Sequence, residues 1–362
     1  MNRPTRPSRY LCVGALFLAT IAAGSIALGG EALATAKKTT KKTTTKTTTK
    51  TTTKAVAVSA TTAPSTTTTA ASTATTAKVT SGGATSASIV NVWKASAVDP
   101  TKLPIGDSKV STSGAGVGTL FACSAGNPNA PGASADGPWL NIAVGTWDST
   151  TKLAVEGKIS WPTAEYSESV SNGKRVLVSN NLPVNYQSGT FPIASTDPSY
   201  AYDRNPGKIT ATAITRTLTA TPTANASPTC MSEGAVGMLR NGVTVFNSLD
   251  GKGKDAVAHE SQDLCQGHPA MTTYHYHNIP SCIRNATAGS STVVGWILDG
   301  FPVVVERDAK GSLPSNADLD ECHGRTSDIV IDGTTVNMYH YSATLEFPYF
   351  IGCYKGTPFN AR

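Results

Sequence analysis

The sequence predicts a mainly β domain, a sandwich or a barrel-like arrangement, and three observations predict it. Short apolar runs rich in Val, Ile, Thr, Tyr and Trp recur from Trp139 to Tyr341, separated by turn residues. Three of the turns are Asn172-Gly173, Asn241-Gly242 and Asp332-Gly333, the dipeptides that two-residue hairpins favour. Long helical periodicity is nearly absent, and the segment around Asp255 to Asp263 is the best candidate for a short helix.

In chain order, residues 1–36 read as a secretory signal peptide. Arg3, Arg6 and Arg9 precede an apolar run from Tyr10 to Leu28, and small residues fitting an A-x-A cleavage pattern follow. The alternative is an uncleaved anchor, since the run is near the length of a spanning helix. Only in that case is a membrane contact expected. Residues 37–84 read as a disordered Thr/Lys/Ala-rich linker, because they lack the apolar side chains that offset ordering entropy. Their lysines suit an anionic cell envelope.

The formal charge of +6 lives in that tail, since residues 1–54 hold ten of the 30 basic residues and one of the 24 acids. The remainder keeps 20 basic and 23 acidic residues, a balance of −3 that offers no footprint for nucleic acid.

Residues 85–362 read as one β-rich domain. Its runs are Trp139–Trp147, Leu153–Trp161, Arg175–Val178, Ile209–Leu218, Gly237–Phe246, Val293–Leu298, Pro302–Val305, Ile329–Ile331 and Val336–Tyr341. Of seven cysteines, Cys12 falls in the signal peptide. Cys123, Cys230, Cys265, Cys282, Cys322 and Cys353 remain, an even set that implies three disulfides with 15 connectivities open. An extracellular or cell-surface location follows. No C-x-x-C occurs, which argues against a thiolate zinc site.

All six histidines fall between His259 and His340. Tyr274-His275-Tyr276-His277 alternates with the period of a strand, so His275 and His277 share one face and the tyrosines the other. Two such imidazoles can reach one ion. Tyr339-His340-Tyr341-Ser342 echoes the pattern, with serine replacing the second histidine. Were the two strands neighbours, His275, His277 and His340 would form a three-ligand site for zinc or copper. Asp299, His259 and His268 are the candidates for proton transfer or for support of the ligands. The duller reading makes them turn and capping residues. His259 and Glu260, being adjacent, are not expected to hold one ion together.

The chain also resembles the YHYH-domain proteins, an exported family. The resemblance runs in order from Asn181 to Gly356. It rests on Gly237–Val243, Asp255–Glu260, Asp263–Pro269, the tetrad itself, Leu298–Val303, Leu319–Arg325 and Phe347–Cys353. Ser342 departs from it, where a histidine is common. The resemblance implies an exported single domain and no particular activity.

The leading functional expectation is a secreted or cell-surface metal-binding domain, serving a metal-dependent hydrolase or oxidase with a small-molecule or glycan ligand. The alternatives are a non-catalytic disulfide-stabilised envelope module and a metal-free His/Asp enzyme.

Overall fold

A computed structural model describes residues 91, 93–94, 97–287 and 289–359, all within one compact unit, Ser81–Arg362. The signal peptide and linker expected at 1–36 and 37–84 lie outside the described residues. Among the described residues, no helix is long and apolar enough to cross a membrane.

The protein is mainly β. Strands β1 (Leu103–Pro104), β2 (Val110–Ser111), β3 (Leu120–Phe121), β4 (Leu140–Asn141), β5 (Thr146–Trp147), β6 (Tyr166–Ser171), β7 (Lys174–Ser179) and β8 (Ile214–Thr219) form three small sheets: β1-β5-β4, β2-β3 and β6-β7-β8. Strands β9 (Ala235–Leu239), β10 (Thr244–Phe246), β11 (Gly267–Ala270), β12 (Thr273–Tyr276), β13 (Ser291–Ile297), β14 (Pro302–Glu306), β15 (Gly324–Ile331) and β16 (Thr334–Ser342) form one large sheet. Its order is β11-β12-β10-β9-β13-β14-β16-β15. The sheet is open, with β11 and β15 as edges, so it does not close into a barrel.

That order reads alike from either end. Hairpin β9–β10 runs parallel to β12 through β10, and β12 pairs antiparallel with β11. Hairpin β13–β14 runs parallel to β16 through β14, and β16 pairs antiparallel with β15. The halves meet at the centre, where β9 and β13 pair antiparallel and Met238 lies opposite Trp296.

The expected hairpins form where the turn dipeptides stand. Asn172 and Gly173 have φ of 50° and 70°, and Asp332 and Gly333 have 50° and 81°. Both central residues are left-handed, as a type I′ turn requires. The expected short helix is α1 (Ala256–His259), capped by the Asp255 carboxylate, which accepts from the Ala258 N–H. Helix α2 (Ser281–Arg284) follows β12.

Strands β13 and β14 are buried from Val293 to Ile297 and from Pro302 to Glu306, so both faces of the sheet centre are covered. The sheet β6-β7-β8 supplies part of the cover. Arg175 on β7 stacks over the Trp296 ring at 3.5 Å, and the Ser179 hydroxyl donates to the Gly242 carbonyl. Leu153–Trp161, expected as a strand, makes only single bridges, Val155 to Asp263 and Ile159 to Ser188. Only Val155 is buried from Leu153 to Trp161, so no continuous partner holds the segment extended.

Three disulfides form, Cys123–Cys230, Cys265–Cys282 and Cys322–Cys353. They are compatible with an extracellular location.

Candidate metal centre

The two strands β11 and β12 set His268 directly opposite His275 in register. His277 follows two residues later, just past the end of β12. All three rings are buried, and one nitrogen from each lies within 4.8 Å of the others. The tetrad alternates as its sequence implies. Tyr274 and Tyr276 stack edge to face at 5.5 Å on the reverse side, where the Tyr274 hydroxyl donates to Asp263 and the Asn241 amide donates to the Tyr276 oxygen.

Backbone carbonyls fix the orientation of two rings. His275 Nδ1 lies 3.0 Å from the Thr273 carbonyl, and His277 Nδ1 contacts the Asn247 carbonyl. A carbonyl only accepts, so each Nδ1 carries the proton and each Nε2 presents a lone pair. Those two Nε2 atoms face each other across 3.0 Å. Two lone pairs at that distance require a proton or a cation between them. Burial opposes the proton, holding His275 down at about 4 and pushing His268 and His277 well below the usual imidazole range.

The fourth group is Glu260, the residue that ends α1. Its Oε2 stands 3.5 Å from His268 Nε2 and 3.6 Å from His277 Nε2. Neither Glu260 Oε2 nor His268 Nε2 has a hydrogen-bond partner. Burial, and then the charges of Asp250 and Asp203, push the Glu260 carboxyl well up. For ligands about 2.0–2.1 Å from a tetrahedral ion, donor atoms sit about 3.3–3.4 Å apart. The distances 3.0, 3.5 and 3.6 Å bracket that edge. The three imidazoles, their nitrogens all within 4.8 Å of one another, form a triad that can hold a divalent transition ion, and the Glu260 carboxylate stands beside His268 and His277. Phe246 from β10 lies flat on His275, the ring centroids 4.0 Å apart.

The expected third ligand, His340, is elsewhere. Strand β16 is separated from β12 by β10, β9, β13 and β14, a span of roughly 24 Å at normal strand spacing. His340 Nε2 instead meets Glu306 at 2.9 Å. His268, expected as a supporting group, takes the third position. His259 is turned away from Glu260, its two nitrogens meeting Asp107 at 3.0 Å and Asp136 at 3.3 Å. Asp299 sits at the β13–β14 turn, accepting from the Tyr341 hydroxyl and from the Phe301 and Gly356 N–H groups. Neither completes the triad. In the sequence Glu260 stands out only as the neighbour of His259, with which it is not expected to share an ion, and Phe246 is not singled out. The one available signal for Glu260 was its adjacency to a histidine, which pointed to His259 instead.

The family model described as YHYH protein matches residues 215–314. No curated protein and no solved structure matches the chain. The matched span holds His268, His275, His277 and Glu260 together, and over it the chain carries a domain of the YHYH protein family.

Proposed function

We propose that this domain binds one divalent transition-metal ion, zinc or copper, through His268, His275, His277 and Glu260. The observation that carries the reading is the approach of the His275 and His277 lone pairs to 3.0 Å beside an unpartnered Glu260 oxygen. When bound, such an ion supplies a polarised water or substrate oxygen for hydrolysis. Three imidazoles suit zinc chemistry of this kind better than electron transfer, which draws on a thiolate ligand. The Thr273 and Asn247 carbonyls hold the imidazoles in the liganding tautomer. Glu260, its side chain 12% exposed against 3% and 4% for His268 and His277, is the less buried partner, and it serves as ligand or as acceptor of the water proton. Export rests on the sequence of residues 1–36 and gains support from the three disulfides.

The test is elemental analysis of the untagged mature protein beside a His275→Ala/His277→Ala variant. One equivalent of metal in the parent and none in the folded variant is the expected result. A parent that stays metal-free after incubation with zinc and with copper overturns the reading.

A further inference from the structure

The two halves of the large sheet agree side chain by side chain. In the central hairpins, residues 58 apart coincide. Gly237 and Gly295 each leave room for the other hairpin's backbone, where a Cβ would come 2.5 Å from the Trp296 carbonyl oxygen and 2.7 Å from the Met238 carbonyl oxygen. Arg240 N–H donates to the Val294 carbonyl and Leu298 N–H to the Val236 carbonyl, reciprocal bonds across the centre. Asn241 contacts the Tyr276 hydroxyl, and Asp299 the Tyr341 hydroxyl. In the outer loops, residues 57 apart coincide. Asp263 accepts from the N–H groups of Cys265 and Gly267, and Asp320 from those of Cys322 and Gly324. The Tyr274 hydroxyl donates to the first aspartate and the Tyr339 hydroxyl to the second. Both cysteines of these loops pair with one beyond the following two strands.

This correspondence carries the metal centre onto a second place. His275 stands opposite His268, and His340 stands opposite Arg325. Ser342 holds the position of His277. Around them, Glu306 is buried and receives Arg325 Nε at 3.2 Å, His340 Nε2 at 2.9 Å and the Ser342 hydroxyl at 2.7 Å. The second place thus sets one carboxylate against one guanidinium, with the His340 ring held between Glu306 and the Met338 carbonyl. The first has a carboxylate and three imidazoles, and the buried Lys152 beside it gives its ammonium protons to the Val257 and Glu260 carbonyls and the Gln262 side chain rather than to the Glu260 carboxylate. The carboxylates enter differently, Glu306 from the end of β14 and Glu260 from the end of α1.

We infer that the fold has two equivalent cation positions, one open to a metal ion and one filled by the Arg325 guanidinium, and that Glu306 and His340 form a latent metal site which Arg325 blocks. This rests on the metal-binding reading of the first position. The latent site would take the same class of ligand, a divalent transition ion.

The experiment converts Arg325→His with Ser342→His and counts zinc per chain in parent and variant. Two equivalents in the variant against one in the parent are expected, the second being lost when Glu306→Gln is added. One equivalent in both sinks the inference and leaves the first site standing. None in the parent and one in the variant sinks the first site's reading and upholds the second position. None in either overturns both. If the double variant does not fold, Arg325→Ala supplies the reading. Its Tm is expected to fall below that of Arg325→Ala/Glu306→Gln, in which charge and countercharge are gone together, and zinc is expected to raise it. Equal Tm values with no response to zinc overturn the inference.

Discussion

Phe246 covers the face of His275, with ring centroids 4.0 Å apart and planes 26° from parallel, while His277 meets the same phenyl ring edge-on at 6.0 Å. The phenyl ring thus touches both imidazoles whose Nε2 atoms converge. It limits their rotation and keeps water from one side of the site. Phe246→Ala is therefore expected to weaken zinc binding about tenfold, the lower end of what loss of a supporting group costs. A competition titration against a chelator measures it. An unchanged Kd in a folded variant would show that the carbonyl contacts alone orient the rings.

His275 and His277 were legible in the sequence because strand alternation is local, and it put both rings on one face without knowledge of the fold. His340 was misplaced because strand adjacency is not local. The parallel pairings of β10 with β12 and of β14 with β16 place two whole hairpins between the tetrads. The place of Glu260 beside the other histidines was not legible for a related reason. The chain turns out of α1 at this residue, whose φ of −80° and ψ of 145° are extended, so His259 and Glu260 diverge to different partners. Three expected turns held because Gly and Asn or Asp govern turns by their own backbone preferences.

His323 is buried without a charged partner, and burial holds its imidazole down at about 3. The unfolded chain takes up a proton near pH 6.5, whereas the folded chain does so only near pH 3. Within that window the unfolded state binds more protons, so stability falls as pH falls, by about 1.4 kcal/mol per pH unit from this ring alone. Gln266, the matching residue of the other loop, has φ of 60° where His323 has 69°, so glutamine suits the backbone. His323→Gln is expected to lose less stability than the parent between pH 6.5 and 4 in urea titrations. Parallel pH profiles would place the proton elsewhere.

The Tyr274 hydroxyl donates to Asp263 at 2.7 Å, and that carboxylate also gathers the N–H groups of Gly189, Cys265 and Gly267. The loop so ordered leads directly into His268. Tyr274→Phe removes a hydrogen bond to a buried acid, which costs about 1.5–3 kcal/mol. Urea denaturation measures the loss. A change below about 0.5 kcal/mol would mean that the backbone donors suffice.

The disulfides differ in the chain they close. Cys123–Cys230 spans 107 residues and Cys265–Cys282 spans 17. By loop entropy the first stabilises by about 4.7 kcal/mol and the second by about 3 kcal/mol. Paired replacement by alanine is expected to rank them in that order by thermal unfolding. The reverse order would mean that the short bridge acts chiefly on the folded loop ahead of His268.

Glu260→Gln separates the two states of the site by sign. Without an ion, the carboxylate is buried beside the charges of Asp250 and Asp203, and its pKa is pushed well up. A raised carboxyl pKa means that the ionised form opposes folding, so at pH 8 the parent pays this cost and the glutamine variant does not. Metal-stripped Glu260→Gln is therefore expected to melt above the metal-stripped parent. With zinc present the order should invert. The carboxylate then neutralises part of the ion's charge, which an amide does not, and a loss of 10- to 100-fold in affinity is expected. Scanning calorimetry of both proteins at pH 8, with chelator and then with zinc, reads both signs in one series. If the variant melts higher in both conditions, Glu260 is not a partner of the ion. If it melts lower in both, the carboxylate has a favourable partner in the metal-free protein, and the charge deficit at His268, His275 and His277 disappears.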